Sequence, residues 1–599
     1  MGHETKVNVK KLPEVSQIIK GDYLIVETDN SGTRILDFKN FVIGSEHTTF
    51  EPLLSALQVD IDALSGTQGW RPASDTSIYT LSSVGIGTTT PSEALTVAGN
   101  VSAQGSVYSN DVINVKAYGA TGDGTTDDAT AIQAAIDAAE VKAGASTYGG
   151  ATVWFPAGTY IVGTRLVVDT SQVAIVGDGR HQSILKASGT LTSLLHIGVT
   201  DGARTEMQAE VSNIQLHGSS TCTDAVLKLW CPYRCVVQHV YIRDGAASGL
   251  ESDTNTSTIN TVAWANRYLD IQSRNNGGKG FYFKGEKDTQ FDNLHAMSNA
   301  GDGFYFGAVS LNSGALFETT TCTIGSCLSR NNTGNGFVMD GLEKYVMGQM
   351  ESTINGGYGM KFLTSDTNDT SIALNSFQCS SFISRNDSLG GLRMADNSQV
   401  TSSHFGSVIV RGPTMTTDAV GIMLAGVDAL SINSIYVDSV PGTALYLDNG
   451  TPLGGSSTPC TNMNFGMVYL NSNGHTSATT NHGLTVLGTS EVNIGTLISN
   501  NLYTTGSDYE INAASTGDVR FSGGVTLASS SGENAINGPK VNFGGALSLE
   551  GSTPAMYLRD GGTTTPPVSG HAALYIDTAD GDLKIKFGDG TVKTITTDS

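Results

Sequence analysis

The sequence predicts an all-β solenoid of the parallel β-helix type. Three observations predict it: a glycine-led apolar strand that recurs along the middle of the chain, asparagine-rich turns between its copies, and one amphipathic helix just ahead of them. The strand units begin at Gly249, Gly280, Gly303, Gly336, Gly359, Gly391, Gly421, Ala444 and Gly483, at spacings of 31, 23, 33, 23, 32, 30, 23 and 39 residues. The minimum of 23 suits one coil, and the surplus in longer units reads as a loop inserted on one side. A fixed repeat of this kind marks coils that stack to bury one continuous core. The turns SRNNGGKG, SNAGDG, SRNNTGNG and SRNDSLGG lie between units, and Asn and Gly accept the left-handed backbone such corners need.

The segment ahead of the repeat contains a short apolar strand (Val112, Ile113, Val115), a Gly- and Asp-rich turn, a helix, and a strand broken by Pro156. Asp127 or Thr126 is placed to cap the helix N-terminus. Ala131, Ile132, Ala135, Ile136 and Ala139 follow at helical spacing and give it one apolar face. Asp123, Asp127 and Asp128 read as turn and cap residues. The run INVKAYGATGDGTTDD resembles the opening motif of the pectate-lyase-like right-handed β-helix family found in bacteriophage tailspikes. There N-V-K-x-Y/F-G-A-x-G-D-G-x-x-D-D leads into a helix that caps the coil stack. The resemblance implies a right-handed parallel β-helix, here over residues 112–512, with a capping helix.

At 599 residues the chain exceeds one compact core, and its 72 glycines favour short strands joined by tight turns. The 33 basic against 56 acidic residues give a net charge of −23, which argues against nucleic acid as a partner. Seven cysteines at irregular spacing form neither a disulfide framework nor a zinc pattern and read as reduced, mostly buried side chains. H-E-x-x-H is absent and the eleven histidines are scattered, so neither metal nor cofactor is expected. The N-terminus lacks an apolar signal core and no run of eighteen apolar residues occurs; the expectation is synthesis in a host cytoplasm without a cleavable signal, and no membrane association.

Residues 1–70 combine alternating segments (GDYLIVE, DFKNFVIG) with a helical spacing of Phe50, Leu53, Leu54, Leu57, Val59, Ile61 and Leu64. They read as a small β/helical attachment and trimerisation region. The GDYLIVE…DFKNFVIG pattern resembles the head-proximal segment of phage tail fibres. Within the 71–111 neck, VGIGTTTPSEALTVAGNVSAQGSV resembles the repeat of tail-fibre shafts. Residues 513–599 end in AALYIDTADGDLKIKFGDGTVKTI, an alternating meander that resembles a short terminal tail-fibre module. These resemblances imply a homotrimeric tailspike on the virion tail, joined to phage tail or baseplate through its N-terminal region and meeting bacterial surface polysaccharide.

Stacked coils lie about 4.8 Å apart, so equivalent positions form ladders. In each glycine unit the first and third residues should face inward, and the second outward: Glu251, Tyr282, Tyr305, Val338, Lys361, Arg393, Met423. A second outward ladder holds Tyr241, Gln272, His295, Leu328 and Glu351, preceded by His239, Asp270, Asn293, Ser326 and Gln349. His239, Tyr241 and Arg243 alternate on one strand and should share its face. Stacked tyrosines beside a carboxylate suit a sugar groove, which makes Tyr282 and Tyr305 candidate platforms, with Tyr241, Arg243 and His295 as further substrate contacts.

Two chemistries compete. Glycoside hydrolysis needs two carboxyl groups at about 5 or about 6.5–9.5 Å, for which Asp270, Glu251 and Asp253 lead, with Glu210, Asp292, Glu318 and Glu351 behind. β-Elimination needs a base and a cation for a uronate carboxylate, for which His239, Tyr241, His295 and Arg243 are candidates. Hydrolysis is the first expectation, lyase chemistry the second, and binding without turnover the third.

Overall fold

In the computed structural model, residues 112–529 are described apart from short segments, chiefly 199–206, 255–262, 364–372, 449–459, 474–481 and 503–510; elsewhere the description covers isolated strands. The chain forms two units, Met1–Val107 and Tyr108–Ser599. In the first, Val26–Asp29 pairs antiparallel with Gly32–Ile35, and Val84–Ile86 pairs in parallel with Leu95–Val97. The helix expected at 49–64 lies outside the described residues.

Alternation in the glycine units builds the core of the second unit. Phe281, Phe283, Phe304, Phe306, Phe337, Met339, Met360 and Phe362 are fully buried, and their rings stack coil on coil: Phe281 on Phe304 at 4.9 Å, Phe304 on Phe337 at 5.0 Å. The fold is an all-β parallel β-helix. Among the described residues one sheet has fourteen strands, all paired in coil order, and a second has 27 strands, among them the long strands Val236–Arg243, Arg267–Arg274, Gln290–Met297 and Thr323–Arg330. We call these the short-strand and long-strand sheets. Both ladders have the register read from the sequence, Glu251 opposite Tyr282 and Tyr282 opposite Tyr305 on one, Tyr241 opposite Gln272 and Gln272 opposite His295 on the other.

The parallel ladder does not stop at residue 512. Val519–Phe521 and Val525–Ser529 pair with Ser490–Leu502, and Leu547–Glu550 extends the sheet. The alternation of Val519, Phe521, Val525 and Leu527 toward the core keeps the coils stacking. Beyond them Ala572–Ile576, Leu583–Phe587 and Val592–Thr596 form an antiparallel meander.

At the N-terminal end of the solenoid the helix Ala129–Gly144 buries Ile132, Ala135, Ile136 and Ala139 against the first coils. Its three aspartates divide the labour. Asp128 immediately precedes the helix, but its carboxylate takes the N–H groups of Thr121 and Gly122 at 2.7 and 3.1 Å. Asp127 Oδ1 accepts from Ala129 N and Gly163 N, so Asp127 supplies the side-chain cap and ties it to the next strand. Thr126 caps nothing; its hydroxyl donates to Asp123.

The corners follow the expectation at three asparagines and depart from it at a serine and an isoleucine. The left-handed positions are Asn275, Ser298, Asn331, Ile354 and Asn386. The residue that follows each is buried, and Asn276, Asn299, Asn332, Asn355 and Asp387 form a continuous ladder, in which each after Asn276 accepts at one side-chain oxygen from the backbone N–H and side-chain amide of the rung before it. The unit glycines are there for space: a Cβ on Gly303 would lie 2.1 Å from Ser329 Oγ and 2.8 Å from the Gly336 carbonyl.

Candidate active site

The expected site residues divide between the two sheets, because a turn over residues 244–247 separates Val236–Arg243 from Ser248–Asp253. On the long-strand sheet Asp270 is the centre of a cluster. Arg180 Nη1 donates to both its oxygens at 3.2 Å, Asn293 Nδ2 to Oδ1 at 3.0 Å, and His239 Nε2 lies 3.9 Å away. The stacking of His239, Asp270 and Asn293 was legible in the register; Arg180, ninety residues earlier, was not. His295 faces the same pair, and burial lowers its pKa, with Asp270 opposing and Arg180 reinforcing the shift. His239, Tyr241 and Arg243 share the outer face as expected, with Val240 and Ile242 buried between them. His239, Asp270 and Asn293 have left-handed backbones (φ 53°, 50° and 52°), a local bend that turns Gln238 and His239 outward together. Tyr241 packs edge-on to His181, and Arg243 bonds Asp244, which also pairs with His217. Within this cluster Asp270 is paired with Arg180, and Asp244 with Arg243 and His217.

The short-strand sheet is richer chemically. Glu251 and Asp253, two residues apart on one strand, share two ammonium groups: Lys228 Nζ lies 2.8 Å from Glu251 and 3.5 Å from Asp253, Lys284 Nζ 3.1 and 2.9 Å from the same carboxylates. Glu251 is therefore not the exposed carboxylate that the sequence suggested. For Lys284 burial works against the charge, but Asp253 and Glu251 outweigh it and raise its pKa; Lys228 is raised in the same sense. Tyr282 and Tyr305 are ladder neighbours as expected, but their rings meet at 77° with centroids 5.0 Å apart. They make no flat platform, and Lys279 and Lys284 sit 4.3 and 4.2 Å from the Tyr282 ring. Burial raises the Tyr282 pKa, with Lys284 opposing, so its phenol keeps its proton at neutral pH. Tyr305 donates to Asp340 at 2.5 Å.

Next to this network a cavity of about 130 Å³ is lined by Arg165, Thr192, His196, Asp224, Lys228 and Trp230. Sequence reasoning missed Lys228 because its strand, Cys222–Trp230, carries Val226 at the place of the unit glycine Gly249 and was left out of the count; the register places Lys228 opposite Glu251 and His196 opposite Lys228. Lys284 stands in plain sight as the last polar residue of GFYFKG. As a hydrolytic pair Glu251 and Asp253 are poorly prepared, since both carboxylates already accept from the lysines. As a site for an anionic substrate the row is well prepared: three lysines and an arginine beside a carboxylate whose Oε2 has no bond partner among the described residues.

Residues 112–326 match the family described as rhamnogalacturonase A/epimerase, pectate lyase-like. The span holds both clusters and the cavity. Alginate lyase 7 of Azotobacter vinelandii is 31% identical over 198 residues, 30% of this chain and 22% of that protein. A mannuronan C5-epimerase of the same organism is 29% identical over 208 residues, 31% of this chain and 14% of the epimerase; the chain thus spans less than a quarter of these relatives. Among solved structures, the A-module of a second A. vinelandii mannuronan C-5 epimerase aligns over 73% of this chain and 99% of its own length, at 17% identity and a TM-score of 0.40. The enzymatically active domain of bacteriophage CBA120 tailspike protein 2 aligns over 60% of this chain and 47% of its own, at 12% identity and a TM-score of 0.36. The matched region is a parallel β-helix similar to the pectate-lyase-like family, and the curated relatives named above are an alginate lyase and a mannuronan C5-epimerase.

Proposed function

We propose that the chain is a polysaccharide depolymerase acting by β-elimination on a uronate-containing glycan bound along the short-strand sheet. The observation that carries this reading is the cationic set Lys228, Lys284 and Lys279 around Glu251 and Tyr282. A uronate carboxylate paired with Lys284 or Lys279 has its charge neutralised, which makes the hydrogen on C5 removable. Glu251 Oε2 takes that proton, the electron pair forms the C4–C5 double bond, and the C4–O bond breaks. The protonated Tyr282 phenol gives its proton to the departing oxygen. The names of the relatives, alginate lyase and mannuronan C5-epimerase, denote reactions on uronic acid polymers and support this choice over hydrolysis. A chain of net charge −23 repels polyanions at a distance, so the local lysines are what admit one.

The test is product chemistry. Purified protein incubated with acidic capsules should yield new reducing ends together with ultraviolet absorbance of an unsaturated uronate. Reducing ends alone would restore the hydrolytic reading, and binding with neither signal would leave an adhesive protein. Glu251→Gln should lower the rate by roughly 100-fold or more.

We also propose that this activity belongs to a homotrimeric phage tailspike acting at the bacterial surface. Support comes from the shaft-like segment Val84 to Val107 and the tail-fibre-like ends of the sequence. Sedimentation of the full chain as a stable monomer would refute the trimer.

A further inference from the structure

We propose that the cavity beside Lys228 is a subsite for a single hexuronate ring of the glycan, held through its carboxylate by Arg165 and through a ring hydroxyl by His196. The proposal rests on the groove assigned above and extends it toward the N-terminal end of the solenoid.

His196 is 5% exposed, and its Nε2 is buried without a hydrogen-bond partner. An unpaired buried polar atom costs on the order of 1–3 kcal/mol, and here it lies on the wall of a cavity. The Gly198 backbone favours the protonated ring, the sense of a carbonyl facing a ring N–H, and with Nε2 unpartnered that N–H is assigned to the other nitrogen. Nε2 is then the nitrogen with the lone pair, and it asks for a donor. Burial, with Arg165 and then Lys228 adding to it, lowers the His196 pKa to about 4, so the ring stays neutral at physiological pH and accepts.

The remaining wall fixes the chemistry of the occupant. Arg165 makes no ion pair among the described residues, its one contact being Thr192 Oγ1 at 3.4 Å. Lys228 already serves Glu251, Asp253 and Asp224. Arg165 is therefore the cation left to meet an incoming anion, and the guanidinium fork suits a carboxylate. Trp230 offers an aromatic face, against which the C–H face of a pyranose packs. A hydroxyl donor, a carboxylate and an apolar face in about 130 Å³ describe a hexuronate. His196 stands opposite Lys228, and Lys228 opposite Glu251, so the subsite lies two coils, about 10 Å, from the proton-abstracting carboxylate. Two linked sugar rings span that distance.

The experiment measures binding without turnover. Sodium glucuronate, galacturonate and mannuronate, with glucose, galactose and mannose as neutral counterparts, are titrated into the full chain by calorimetry. At least one uronate should bind more tightly than its neutral counterpart. Arg165→Gln and His196→Phe, the second filling the cavity, should each weaken that binding by roughly tenfold, while His196→Gln, which keeps an acceptor, should retain most of it. Thermal unfolding confirms that each variant is folded; a variant that does not fold is replaced by Thr192→Trp, which fills the same cavity from the opposite wall. Equal binding of uronate and neutral sugar, or unchanged uronate affinity in the folded variants, overturns the proposal. If uronates bind as expected but no polymer yields unsaturated ends, the subsite stands and the lyase reading falls. If polymer is cleaved while the variants bind uronate normally, the lyase reading stands and the subsite falls.

Discussion

Lys228 Nζ lies 2.8 Å from Glu251 Oε1, and each of the two side chains is 7% exposed. A buried pair of this kind gains little net stability over an apolar pair, but losing one partner leaves the other charge buried with only its remaining contacts, Lys284 for Glu251 or Asp253 and Asp224 for Lys228. Lys228→Met should therefore cost about 3 kcal/mol, and Glu251→Met a similar amount. The double variant should recover much of that loss. Chemical denaturation of the three variants checks it, and additive costs would mean that the two residues are independent.

Asp387 ends the buried asparagine ladder as its only carboxylate. Burial raises its pKa to about 6, against the hydrogen bonds from Ser384 and Asn355. The folded pKa lies above the unfolded value, so its contribution to stability is present below about pH 4 and is lost as pH rises to about 6. Ser384 stands three residues before Asp387, as Ser273, Ser329 and Ser352 stand before Asn276, Asn332 and Asn355, and each of those amides donates to its serine. Asp387→Asn reproduces that arrangement. It should stabilise the protein by up to about 3 kcal/mol above pH 6, with the advantage fading toward pH 4, as read from unfolding midpoints across that range.

His196 carries the opposite sign. Its folded pKa of about 4 lies below the unfolded value near 6.5, so stability is complete above pH 6.5 and is lost as pH falls toward 4. His196→Gln should remove up to about 3 kcal/mol of that acid dependence. The same unfolding series, run on this variant, would show no flattening if the ring were already charged at neutral pH.

Phe304 stacks between Phe281 and Phe337. Phe304→Ala should leave a cavity between coils and cost about 3–5 kcal/mol. Phe304→Leu should cost clearly less, and equal losses by denaturation would show that the stack contributes more than its volume.

The sequence by itself determined the coil repeat, the inward phenylalanines, the capping helix and the register that sets Glu251 against Tyr282 and His239 against Asp270. Each follows from local alternation and a constant strand spacing, which one strand passes to the next through backbone pairing. Only the tertiary structure decided which charged side chains meet. Arg180 reaches Asp270 from a turn ninety residues away, Lys228 and Lys284 close on Glu251 from the coils on either side, and the 244–247 turn sends His239 and Glu251 to different sheets. The reason is physical: a period fixes where a Cβ points, whereas a long charged side chain goes where desolvation and an opposite charge take it, and that depends on neighbours no local pattern encodes.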